Sequence, residues 1–253
     1  MPPLGIASIV FAFVFGSAML GVFIGNALPE HHLSQASKDV VRLGTALIAT
    51  MAALVLSLLI SSAKSSFDRM DDELLENAAR AISLDRALAD YGPETTEARD
   101  LLKRSYAARI ELIFPRDKLQ REQEDTPESI LRTENLRAKL WQLSPQNDAQ
   151  RGLQSQALQI AGEMSATRWL LFLQKDEPVP MILLVVLVSW LAIIFATFGL
   201  FAPRNATVVG ALFVCALSVA GAILLILEMN SPFGGLMKLS SAPMRDALAN
   251  LGR

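Results

Sequence analysis

Four stretches of the chain carry no charged side chain: Leu4 to Leu28, Leu43 to Ala63, Pro178 to Pro203 and Asn205 to Leu227. Each is at least twenty-one residues long, and at 1.5 Å rise per residue roughly 20 residues cross the hydrocarbon core of a bilayer as a helix. The pattern predicts four transmembrane helices. Only Met1-Pro2-Pro3 precedes the first window, without the basic n-region of a secretory signal, so a retained helix is expected; cleavage after Gly25-Asn26-Ala27 is the alternative.

Between the second and third windows lie 114 residues, Lys64 to Glu177. From Phe67, apolar residues recur at spacings of three and four through Met70, Leu74, Ala78, Ala81, Leu84 and Leu88, one face of a helix that continues out of the membrane. Tyr91-Gly92-Pro93-Glu94 should end it, and a second helix is expected over Glu94 to Phe114, stopped by Pro115. After a polar loop starting at Arg116, Thr126-Pro127 and Ser144-Pro145 each read as an N-cap followed by proline in the first turn, introducing helices over Glu128 to Leu143 and Gln146 to Gln174. No stretch alternates like a strand. The fold class expected is therefore all-α: a polytopic membrane protein with a cytoplasmic helical bundle between its second and third spans. Its organisation would be residues 1–63 (two spans), 64–177 (helical region), 178–228 (two spans) and 229–253 (C-terminal tail).

Charge adds orientation. Lys64, Arg69, Arg168, Lys175, Lys238 and Arg245 flank one side of the predicted membrane, against Lys38, Arg42 and Arg204 on the other, which favours a cytoplasmic location for both termini and the middle segment. A net charge of −2 offers no basic surface for nucleic acid. The lone cysteine, Cys215, sits inside the fourth window and reads as a packing residue. Asn205-Ala206-Thr207 matches a glycosylation sequon, but lies in a turn too tight against the membrane to be an acceptor.

Enzyme signatures are missing. The chain has no GxSxG, no HExxH and no glycine-rich phosphate loop, and His31 and His32 are neighbours whose side chains diverge by about 100° on a helix. No enzyme activity, cofactor or metal is expected. The acidic group Asp68, Asp71, Asp72, Glu73 and Glu76 lacks the alternating ligands and turn glycine of a calcium loop and reads as a solvated helix face.

The membrane helices carry more. Ser17, Gly21 and Gly25 recur at four-residue spacing, and Thr207, Ala211, Val214, Ser218, Gly221 and Leu225 share one face of the fourth helix; both stripes read as helix-packing surfaces. On the second helix, Ala46, Thr50, Ala53, Ser57, Ser61 and Lys64 fall within a sector of about 80°, while Leu, Ile, Val and Met occupy the other faces. A small polar stripe ending in a cation suits a water-filled path for anions, with Thr50, Ser57, Ser61 and Lys64 as pore-lining residues. The competing reading is local: hydroxyls bonding back to the helix, and a lysine reaching for the headgroups.

The phrases "KDVVRLGTALIATMAALVLSLLISSAKSSFD", "LDRALADYGPE", "FATFGLFAPRNATVVGALFVCALSVAGAILLILEM" and "SPFGGLMKLSSAPMRDAL" resemble the bacterial bestrophin-like membrane family, over about Leu28 to Leu251. The resemblance implies a distant similarity to bestrophins: pentameric anion channels with four membrane-spanning regions, cytoplasmic termini and a pore lined by the second span. Two features depart from that pattern. Leu43 to Ala63 has no aromatic residue where bestrophins carry an aromatic constriction, and the acidic run follows the second span rather than the last, so calcium gating is not implied. The expectation is a homo-oligomer, a pentamer by resemblance, that conducts small anions across the lipid bilayer. The alternative is a non-conducting scaffold or sensor whose helical bundle binds a partner protein. A transporter or membrane enzyme fits less well, because no charge lies within the apolar windows.

Overall fold

The computed structural model describes residues 2–27, 35–114, 136–174, 181–203, 205–230, 235 and 237–253. All regular structure among them is helical: α1 (Pro3–Ala27), α2 (Gln35–Tyr91), α3 (Thr96–Ile113), α4 (Asp148–Gln174), α5 (Met181–Leu200), α6 (Ala206–Met229) and α7 (Ala242–Asn250). Residues 136–142 are also helical. The helices α1, α2, α5 and α6 are each long and apolar enough to cross a membrane, which accounts for all four uncharged windows. The polar loop after Phe114, Thr126-Pro127 and the start of the helix expected there, and the histidine pair all lie outside the described residues.

The chain divides into two compact units, one of residues 1–67 and 178–237, the other of residues 68–177 and 238–253. The first contains α1, α5, α6 and the front half of α2. Its core is a single apolar cluster including Val14, Ala18, Leu187, Ala216 and Ile223, with Ala52, Leu59 and Ala63 contributed by α2. Phe213 meets Phe11 and Phe15 edge-on, at centroid distances of 5.3 and 5.5 Å.

Glycine sets how closely α1 approaches α5. A Cβ on Gly21 would run into the Ala196 carbonyl oxygen, one on Gly25 into that of Leu200, and one on Gly199 into that of Ala18. The two backbones touch through all three positions, where lipid-facing helices gain most from small residues. The sequence pattern pointed to Gly21 and Gly25 but not to Gly199. Ser17, one turn before Gly21, donates its hydroxyl back to Phe13 O at 2.8 Å.

α2 has 57 residues, about 85 Å at helical rise, so it far exceeds a bilayer core of about 30 Å. Tyr91 ends it, as the Tyr91-Gly92-Pro93-Glu94 signal anticipated. Gly92 takes φ 135°, a backbone conformation that essentially only glycine tolerates, and Pro93 opens a 3₁₀ turn, Pro93–Thr95. That turn delays α3 to Thr96. The Thr95 hydroxyl, fully buried, lies between the carbonyls of Leu88 (2.5 Å) and Gly92 (2.8 Å) and fixes the reversal.

The helix expected from Gln146 starts later, at Asp148. Its cap is Asn147, whose Oδ1 accepts the Gln150 N–H at 2.8 Å, while Gln150 Oε1 reaches back to accept the Gln146 N–H, also at 2.8 Å. Together these two bonds satisfy two backbone donors at the start of the helix, in a variant of the capping box. In the second unit Asp85 is buried at 1% exposure, yet charged; it faces Arg99 of α3 and the backbone of Gly252.

Candidate functional site: the outward face of the second helix

Within the first unit, α2 buries one line of side chains: Thr45, Ala52, Leu59 and Ala63. These are spaced by seven, seven and four residues, close to two turns or one turn of helix, so they define one direction toward the core. Taken from that line, Ala46, Thr50, Ala53, Ser57, Ser61 and Lys64 lie roughly 100° to 180° around the helix. All six are exposed. Among the described residues, no helix of the chain therefore covers the hydroxyl stripe.

The remaining outward surface of α2 differs in chemistry. Leu47, Met51, Leu54 and Leu58 are exposed as well, at 45% to 71%, and project on the opposite flank, about 100° to 160° from the buried line. One flank of the helix is thus leucine-rich, suited to acyl chains or another protein surface, while the other offers hydroxyls and a terminal lysine. Thr50 donates its proton to Ala46 O at 2.6 Å, leaving oxygen lone pairs toward the outside. Such back-bonding recurs on the membrane helices at Ser8, Ser189, Thr197 and Ser218.

Beyond Lys64 the helix turns acidic. Asp68, Asp71, Asp72 and Glu76 are exposed, and Glu73 is partly buried. Burial pushes the Glu73 carboxyl above the usual carboxylate range; Arg69 opposes this and Glu76 adds to it. Glu73 Oε2 and Asn77 Oδ1, one turn apart, are both buried without a hydrogen-bond partner. Among the described residues no group of three or more histidine, cysteine or acidic side chains is placed to hold a metal ion.

The fourth-span stripe is distributed differently from expectation. Ala211 and Ser218 are exposed, and a Cβ on Gly221 would meet nothing within 4 Å; the buried line of α6 is instead Leu212, Ala216, Ala220, Ile223 and Leu227. Small residues of α6 within that line, Ala216 and Ala220, do the packing inside the protomer. Asn205 serves as the N-cap of α6, its Oδ1 accepting the Val208 N–H at 2.8 Å, so its side chain is engaged in the turn.

These features define an integral membrane protein of four helical spans with a second, helical unit. The chain belongs to the Bestrophin-like domain family, whose model matches residues 10–244. It is similar in fold to the crystal structure of a single-substitution variant of a bacterial bestrophin homolog from Klebsiella pneumoniae, with a TM-score of 0.67 at 15% identity over 95% of this chain and 97% of that one. No curated protein matches the sequence.

Proposed function

We propose that the protein is an oligomeric channel of the bacterial inner membrane that passes small anions along a path formed by copies of α2. Thr50, Ser57 and Ser61 line this path and Lys64 sets charge preference at its cytoplasmic mouth. The observation that carries the reading is the exposure of this stripe opposite the buried line of its own helix. Left against lipid, a row of hydroxyls ending in an ammonium would be poorly solvated; around an oligomer axis it meets water. The family and the fold support the same architecture, which by resemblance is a pentamer with cytoplasmic termini. On this reading the exposed leucine flank and the outward stripe of Ala211, Ser218 and Gly221 pack on neighbouring copies or lipid.

Cysteine accessibility tests it. With Cys215 replaced by alanine, Ser57→Cys and Ser61→Cys should react with a membrane-impermeant thiol reagent, and Leu54→Cys and Leu58→Cys should not. Equal protection of both pairs would leave the protein a non-conducting scaffold whose helical unit is its working part.

A further inference from the structure

Within the second unit, α7 is held in the way a receptor holds a short peptide. It has nine residues, fewer than the roughly 12 that a helix needs to persist alone in water, and Ser241 at its start makes no side-chain cap. Docking is what makes it helical. It packs on α3 and buries Met244 and Ala247, three residues apart, while Leu251 follows at the seventh position; each is 1% exposed or less. Spacings of three and seven are those of an amphipathic helix lying in a groove. Arg245, Asp246, Ala249 and Asn250 are exposed.

The polar contacts at the end of this segment go to its main chain. Lys103 Nζ donates to Leu251 O at 2.8 Å, Arg99 Nη2 donates to Arg253 O at 3.0 Å, and Asp85 Oδ2 accepts the Gly252 N–H at 3.1 Å. Gly252 takes φ 82°, where a residue with a Cβ is strained. The groove therefore reads apolar spacing, a glycine and a backbone, none of which requires that the segment be continuous with the rest of the chain.

We propose that α3 and the part of α2 around Asp85 form a helix-docking groove, with residues 242–253 as its detachable occupant. Once vacated, the groove takes a separate amphipathic helix of the same pattern: apolar residues at the positions of Met244, Ala247 and Leu251, then a glycine. Three apolar side chains and three hydrogen bonds fix the segment's own docking, so it opens as a local unit while the helices beneath it stay folded. The groove lies within the helical unit and does not depend on whether α2 conducts.

The test adds a fluorescein-labelled synthetic peptide of residues 242–253 to the full-length protein in detergent and follows its anisotropy. Wild type should bind weakly, because its own segment competes. Gly252→Val places a β-branched residue at positive φ on an exposed position, so it releases that segment and should raise the apparent affinity for the peptide about tenfold. Leu251→Ser in the chain should act in the same way, while Leu251→Ser in the peptide should abolish binding. A photoreactive leucine analogue at position 251 of the peptide should label the protein within residues 85–103. No saturable binding to either chain variant, equal binding of the Leu251→Ser peptide, or labelling only outside residues 85–103 overturns the proposal.

Discussion

Arg99 holds the buried carboxylate of Asp85 in a two-bond fork, Nε to Oδ1 at 2.8 Å and Nη2 to Oδ2 at 2.9 Å. Asp85 Oδ2 also accepts the Gly252 N–H at 3.1 Å, and Arg99 and Lys103 donate to the carbonyls of Arg253 and Leu251. The residues after α7 are therefore tied to α2 and α3 through this ion pair and through Lys103. Asp85→Ala leaves the guanidinium without its counterion and should destabilise this unit by about 3 kcal/mol, the usual cost of breaking a buried pair from one side. Limited proteolysis should then cut near Leu251, which is fully buried in the native protein.

Acid should release the same clasp, but only at low pH. Burial alone would raise the Asp85 pKa; the Arg99 bond, the Gly252 N–H and the nearby charges of Arg99 and Arg86 outweigh it and hold the group below its ordinary value. A carboxylate depressed in the folded state contributes stability above its unfolded pKa, and that contribution is lost as pH falls through the folded one. Amide exchange at Leu251 and Gly252 should stay slow from pH 8 to pH 5 and accelerate only below about pH 4. Release near pH 6 would contradict this.

Close packing of α1 on α5 makes a third prediction. Gly21→Ala and Gly199→Ala each place a methyl against a backbone carbonyl, which cannot move aside as a side-chain tip would. Each should cost about 1 to 3 kcal/mol, the range for overpacking, measured as the shift in a detergent melting curve. Gly16→Ala and Gly44→Ala meet nothing within 4 Å and are the controls. Equal effects at all four positions would show that helix propensity, rather than contact, decides.

Capping of α4 gives a fourth. Asn147→Ala removes the acceptor for the Gln150 N–H and should lower the stability of the helical unit by about 1 kcal/mol. Ser144→Ala should change it by much less. The reverse order would restore Ser144-Pro145 as the start of the helix.

The uncharged windows gave the four spans directly because hydrocarbon tolerates so little else. Gly21 and Gly25 were legible for the same reason: small residues at four-residue spacing let backbones meet. Gly199 lacks that spacing on its own helix, although Ala192 and Ala196 hint at a small-residue face. Asp85 did leave a signal, standing among Ala78, Ala81 and Leu88 in the register of the apolar face. Its partner Arg99 lies beyond a reversal, so periodicity alone could not join them. The delayed start of α4 was missed because the Asn147 cap, with Gln150 reaching back to the Gln146 N–H, outcompetes a proline signal three residues earlier. For α2 the stripe itself was visible in sequence, but the side of the helix facing the core was not, since small residues such as Ala52 and Ala63 carry much of the buried line.

The central claim is that this outward stripe lines an anion path with Lys64 at its mouth. Purified protein in planar bilayers, under a potassium chloride gradient, should carry a current reversing toward the chloride potential, and Lys64→Glu should shift that reversal toward the potassium potential. No current, or an anion preference unchanged by Lys64→Glu, would contradict it.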